Sequence, residues 1–237
     1  MVSSVRYLGV DIDERICDKA KSLFHSFSRI SREMWGLDEK TLQTIYKAVV
    51  VPIMLYCAAG WFERANKKHI NMLGSAQRNM VLRMIKGYRT VSKEAAVVLA
   101  GTIPIDILMK EWSEYYHRRS SLIDKRSLRA EIREKSLEAW QERWRLADAG
   151  RHTYQYITNV NQVLRVTNTH LGGVLTQFLT GHGKFREYLK RVGITDSGEC
   201  PKCGVDETST HIIFEFPVYN VTRKTTLMGI ISMTNDA

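Results

Sequence analysis

The chain has 237 residues, 44% hydrophobic, 25% charged and 9% aromatic, with 15 Gly and 4 Pro. That apolar content excludes a disordered chain, and the length suits one large domain or two small ones. Thirty-five Lys and Arg against 25 Asp and Glu leave a net charge of +10, so a polyanion, either nucleic acid or an anionic membrane face, is the first class of partner to consider.

The opening Val5–Asp13 has strand composition. A lone strand needs partners, and little else in the chain reads as sheet, so the expectation is that its partners lie outside this sequence. Asp11 and Asp13 could bind a metal there, although the exposed end of a strand is the plainer reading. Met1–Arg6 lacks the apolar core segment of a secretory leader, so none is expected. Helical spacing of Ile16, Ala20, Leu23, Phe24, Phe27 and Ile30 predicts a first helix. A second starts near Asp38, with Leu42, Ile45, Tyr46, Val49, Ile53 and Tyr56 on one face and a kink at Pro52. The apolar run Ala48–Phe62 is 15 residues without a charge. It is short for a membrane span of about 20 and reads as a buried helix in a soluble, intracellular protein.

Lys67–Lys86 is the third helix, with Ile70, Leu73, Met80 and Met84 on one stripe. Around it, residues 64–93 carry eight basic side chains and no acid: Arg64, Lys67, Lys68, Arg78, Arg83, Lys86, Arg89 and Lys93. A one-sign face repels itself unless a polyanion meets it, and Lys and Arg contacts to phosphate fix register without reading sequence. Ser92 opens a short helix that Gly101 ends. Pro104 starts another, with Ile105, Leu108, Met109, Trp112 and Tyr116 expected inward. A long charged helix follows over about Ser127–Ala147, with Leu128, Ile132, Trp140 and Trp144 inward. These two helices mix ten basic with seven acidic residues across Lys110–Arg145, the ordinary solvated pattern. Their Trp and Tyr spacing predicts core placement rather than base stacking.

Beyond Gly150 the texture changes. Helices over about Tyr154–Val166 and Leu171–Leu179 lead to Thr180-Gly181-His182-Gly183, which is turn chemistry, and then to a short basic helix with Lys184 and Arg186. The sharpest constellation is Cys200-Pro201-Lys202-Cys203 with His211 eight residues further on. Two sulfurs on a tight turn and a histidine after a short spacer are metal-ligand chemistry. Phe216 stands where a fourth ligand would complete a tetrahedral site. Glu215, Asp206, Glu207 or a water are the substitutes, and a site holding no metal is the alternative. No phosphate-binding loop, nucleophile elbow or zinc-protease motif is present.

The order of these features resembles the reverse transcriptases of non-LTR (LINE-type) retrotransposons. Tyr7-Leu8-Gly9-Val10-Asp11-Ile12-Asp13 is similar to the strand segment closing their polymerase palm. Tyr46–Tyr56 with Ala59-Gly60-Trp61, Leu73, Gln77-Arg78 and Leu82 resembles the thumb. Leu179–Leu189 ahead of the Cys/His spacing resembles the C-terminal region of arthropod elements, in particular the type-1 elements that insert into ribosomal RNA genes. The resemblance implies a mainly α chain: the palm end over 1–35, a helical thumb over 36–125, a helical connector over 126–180 and a nucleic-acid-binding region with a zinc-knuckle-like motif over 181–237. It implies a C-terminal piece of an RNA-directed DNA polymerase with an endonuclease, acting in the nucleus on element RNA and target DNA, with no membrane. Its partners are then the upstream palm and endonuclease, with zinc at Cys200, Cys203 and His211 and magnesium in the parent polymerase. Implied nucleic-acid contacts are Arg64, Lys67, Lys68, Arg78, Arg83, Lys86, Arg89, Lys184 and Arg186. The polymerase signature carboxylates are absent, which predicts an inactive fragment. A freestanding helical nucleic-acid-binding module and a helical interaction protein are the alternatives.

Overall fold

The computed structural model describes residues 5–7, 10–12, 22, 39–56, 58–120, 124–165 and 172–226, and the chain is mainly helical. It forms two compact units, Met1–Thr176 and Gln177–Ala237. The helix expected over Ile16–Ile30 lies outside the described residues except at Ser22, which is helical; Asp13, Cys17 and Cys57 also lie outside them.

The opening corrects the single-strand expectation. β1 (Val5–Tyr7) pairs antiparallel with β2 (Val10–Ile12), Arg6 opposite Asp11, so the segment supplies its own partner. Short hairpin spacing lets two strands pair locally at little loop cost.

The second helix is also not the regular helix expected. It runs as α1 (Glu39–Ile45), a π-helical turn (Tyr46–Val50) and α2 (Val51–Met54). Buried residues fall every four positions, at Leu42, Tyr46, Val50 and Met54, while Val49 and Tyr56 are exposed. In an α-helix a four-residue step overshoots a turn by about 40°. The wider π turn takes that drift back and holds the row on one face. Pro52 lacks an N–H, and the ladder widens just before it: Val51 N–H reaches Tyr46 O. The stretch Lys40–Gly60 is long and apolar enough, by length and composition, to cross a membrane. Here it buries that row within the unit, and the Gln43 side chain donates to Ala100 O at 2.8 Å, as a core helix does.

After α3 (Ala58–Trp61), α4 (Lys67–Met84) starts at Asn66, whose side chain accepts from His69 N–H. Its inner face buries Leu73, Ala76, Met80, Val81 and Met84 around Gln77. The Gln77 amide donates to Tyr46 Oη (3.0 Å) and Ile103 O (2.9 Å), and its oxygen accepts from Ile105 N–H (2.9 Å). One satisfied side chain thus ties three segments together, and burial drives the Tyr46 hydroxyl far above its ordinary pKa.

α5 (Lys93–Leu99) is capped by Ser92 and closed by Gly101 at φ 57, whose N–H bonds Val98 O while Thr102 N–H bonds Val97 O. α6 (Ile105–Arg118) follows Pro104. Ile105, Leu108 and Met109 are buried, but Trp112 and Tyr116 are exposed, against the inward placement their spacing predicts. The apolar stripe of α6 outruns the elements that cover its first turns. α7 (Lys125–Leu146), capped by Asp124, returns antiparallel and buries Leu128, Ile132, Ser136, Trp140 and Trp144. Ion pairs zip the hairpin: Asp106–Arg143, Glu111–Arg133, Glu114–Lys135 and Glu131–Arg118.

The chain then turns at Gly150 (φ 82), packed so closely that a Cβ would lie 3.0 Å from both Trp144 and Ser92 Oγ. The helix expected over Tyr154–Val166 is broken into α8 (Arg151–Tyr156) and α9 (Val160–Arg165). Gln141 stabilises the break, donating to Thr158 O and accepting from Val160 N–H, each at 2.9 Å. α10 (Gly173–Thr180) leads into the second unit, where α11 (Arg186–Arg191) and the Cys/His segment lie. Gly181 (φ 68) and the residues after it form the expected turn, with the His182 ring stacked on Tyr188 at 4.9 Å.

Candidate metal centre and nucleic-acid face

Glu199 and Asp206 pair in an antiparallel bridge, so the chain between them reverses. Within that reversal Cys200 N–H bonds Val205 O (2.7 Å), Gly204 N–H bonds Cys200 O (2.9 Å), and Gly204 takes φ 70. The fold brings Cys200 and Cys203 onto one turn, as the two-residue spacing requires. Thr208 Oγ1 accepts His211 N–H at 3.0 Å and opens a π-helical turn, His211–Glu215. The Cys200, Cys203 and His211 ligand atoms all lie within 4.8 Å of one another. A tetrahedron with 2.3 Å metal–sulfur bonds has edges of about 3.7 Å, so a small contraction closes the site. This cluster could hold a metal.

The imidazole is oriented for that role. Nδ1 faces Glu215 Oε2 at 3.3 Å, while Nε2 is buried without a hydrogen bond. A carboxylate on one ring nitrogen fixes the tautomer and leaves the other for a metal. The neighbouring Cys200 sulfur, then Glu215, hold His211 above its ordinary pKa, against burial. Burial alone would raise the Cys200 thiol, but the Lys202 amide, the His211 ring and the Cys203 amide hold it below its usual value. Burial and the adjacent Cys200 sulfur both push Cys203 up. Among the described residues three ligands converge. Phe216 sets its ring edge to His211 at 5.9 Å and to Tyr219 at 5.5 Å. Glu207 is committed elsewhere, its carboxylate accepting Arg186 N–H at 3.2 Å. Glu215, considered as a ligand from sequence, instead meets the far side of the ring. Its position four residues after His211 was the available signal.

The cations of residues 64–93 separate into two kinds. Lys67, Lys68 and Arg83 are exposed on the arc of α4 opposite its buried face, and no acid stands in its first turn. Lys86 and Arg89 are exposed just beyond the helix. Lys86 holds a left-handed backbone, φ 52. Arg78 is turned inward: its guanidinium donates to Arg89 O and to Val91 O, the latter at 2.7 Å, and fastens the loop to α4. Lys93 is half-buried and its charge lowers Asp106. Arg64 ends a short 3-10 turn, its side chain outside the described residues. In the second unit Lys184 is exposed and Arg186 half-buried.

The retrovirus-related Pol polyprotein from type-1 retrotransposable element R1 4 of Nasonia vitripennis is 32% identical over 242 residues, 91% of this chain and 61% of that protein. The chain is homologous to type-1 retrotransposon Pol polyproteins. A second Nasonia polyprotein, from element R1 2, is 27% identical over 99% of this chain and 63% of its own length. The R1 Pol polyprotein of Bradysia coprophila is 27% identical over 97% of this chain, which spans 25% of that protein. The chain therefore covers about three fifths of the Nasonia polyproteins and a quarter of the Bradysia one. No protein-family model matches it, and no solved structure does.

Proposed function

We propose that the chain is the part of a retrotransposon Pol polyprotein that holds nucleic acid while other parts of the polyprotein perform RNA-directed DNA synthesis and target nicking. The ligands are the element RNA with its primer and the target DNA, and the site of action is the nucleus. Residues 1–35 are the end of the palm, 36–125 the thumb, 126–180 a connector and 181–237 a zinc-bearing nucleic-acid module. The observation that carries this reading is the exposed cations Lys67, Lys68 and Arg83 on α4, whose other side is core, continued by Lys86 and Arg89 just beyond the helix. Lys86 adds to it, because a left-handed residue after a helix is ordinarily glycine and a cation held there breaks a local rule.

Changing these five residues to Gln should weaken binding alike for unrelated sequences. The salt slope should fall by roughly 0.7 to 0.9 for each phosphate that is no longer neutralised. An unchanged slope would show that the face meets something other than phosphate. Arg78 stays out of the set, since its removal would free the loop. On its own the chain should add no nucleotide to a primed RNA template, because the carboxylates of a two-metal polymerase lie elsewhere in the polyprotein.

The donor set fits zinc: two sulfurs and the His211 imidazole, whose buried Nε2 has no hydrogen bond. When bound, zinc would cross-link the Cys200–Cys203 turn to the His211 turn. Phe216→Cys should supply a fourth ligand, a third sulfur, and tighten zinc binding. If instead it binds zinc no better and lowers the melting temperature, Phe216 is a packing residue and the metal reading fails.

A further inference from the structure

We propose that the outer stripe of α6 is a second nucleic-acid contact, one that stacks the unpaired bases of a single strand. Trp112 and Tyr116 stand one helical turn apart with 51% and 49% of their surfaces exposed. Two large aromatics half in water on the same stripe as buried Ile105 and Met109 are the informative exception to burial. The Arg119 guanidinium lies over the Tyr116 ring, 4.2 Å from its centroid, and Arg129 lies over Tyr115 at 4.6 Å.

Charge selects the occupant. At about 100° per residue, the three acids of α6 fall on the arc away from this stripe. All three are engaged: Asp106 by Arg143, Glu111 by Arg133, and Glu114 by Arg118 and Lys135. The acids of α6 are thus neutralised within the hairpin, and none of them stands on the aromatic stripe, which carries guanidinium groups. Exposed rings beside Arg are the chemistry of single-strand binding, in which each ring takes a base face and Arg adds cation–π attraction and binds phosphate. A duplex keeps its bases stacked on one another and offers the rings nothing. Trp, Tyr and Arg are also the residues that anchor protein interfaces, so self-association is the competing outcome.

The test uses the whole chain, with a short oligouridine and a blunt DNA duplex of equal length at one salt concentration, read by fluorescence anisotropy. Removing both rings with Trp112→Ala and Tyr116→Ala should weaken oligouridine binding by about 5- to 150-fold per ring. Duplex binding and both salt slopes should stay unchanged, because no cation is removed. Trp112→Phe with Tyr116→Phe should keep most of the affinity. The glutamine changes on α4 give the opposite signature, a lower salt slope on both ligands, so the two sites are read separately. Equal weakening on both ligands, or none on oligouridine, overturns the proposal. So does a parent chain that sediments as a dimer where the alanine variant is a monomer, since a second copy then holds the stripe. An alanine variant that fails to fold also overturns it, by making the rings core residues.

Discussion

Among the described residues, the first unit buries Trp140, Trp144, Tyr46, Met80 and Ile132 almost completely, whereas the second buries Leu179, Thr180, Tyr188, Cys200, Ser209 and His211. Ile194, Phe214, Val218 and Val221 of the second unit stay largely in water. The first unit thus has an apolar core that offsets chain entropy, while the second is small and buries mainly polar and metal-type side chains. Below a certain size an apolar core no longer suffices, and a metal or another staple supplies the difference. On the proposed metal reading, the π turn at His211 and the Glu215 interaction would serve to clip the second unit, whereas the long α6–α7 hairpin of the first is held by packing.

The largest expected effect breaks the contrast outright if it fails. With zinc bound, a chelator should remove amide protection over residues 199–216 and leave that of α4 and α7 intact. Four-ligand zinc sites supply about 10–16 kcal/mol, which bounds this three-ligand site from above. Protection of 199–216 that survives chelation would mean the second unit stands on packing alone. Next in size is Trp140→Ala, which should cost about 3–5 kcal/mol in urea denaturation of the first unit while zinc stoichiometry is unchanged. Glu215→Ala has the reverse pattern. It should weaken metal binding about 10- to 100-fold by releasing the His211 ring, with no shift in the main melting transition.

Gly150→Ala sharpens the packing side. The residue sits at φ 82 against Trp144 and Ser92, and a side chain there should cost about 1–3 kcal/mol in backbone strain, before any neighbour has to move. The smallest effect is on pH. Bonds from Arg118 and then Lys135 pull Glu131 down to about 2 from an ordinary 4.5. Burial alone would raise Asp106, but the bond and charge of Arg143 outweigh it and hold it below its usual value. Both carboxyls are depressed in the folded state. Their contribution is therefore present above about pH 4.5 and lost as pH falls toward about 2. A Glu131→Gln variant should show a shallower acid limb in its pH–stability profile; an identical limb would show the pair is screened.

Local chemistry was legible in the sequence. Ser92, Pro104 and Gly101 marked the ends of their helices, because caps and left-handed positions are satisfied by one or two neighbouring residues. The Cys200, Cys203 and His211 spacing announced a metal-type cluster, because a tight turn brings the sulfurs together whatever surrounds it. The charge arc of α4 followed from 100° per residue. Tertiary structure decided the rest. Periodicity tells which residues share a face, but not where the covering element stops, so Trp112 and Tyr116 share a stripe with core residues and still meet water. It assumes a regular turn, so the π turn at Tyr46–Val50 moved burial from Val49 to Val50. Net charge counts Arg78 with Lys67, although only the folded loop shows its guanidinium engaged by the carbonyls of Arg89 and Val91. What a side chain does depends on the groups brought within about 3 Å of it, and for these residues those groups come from distant parts of the chain.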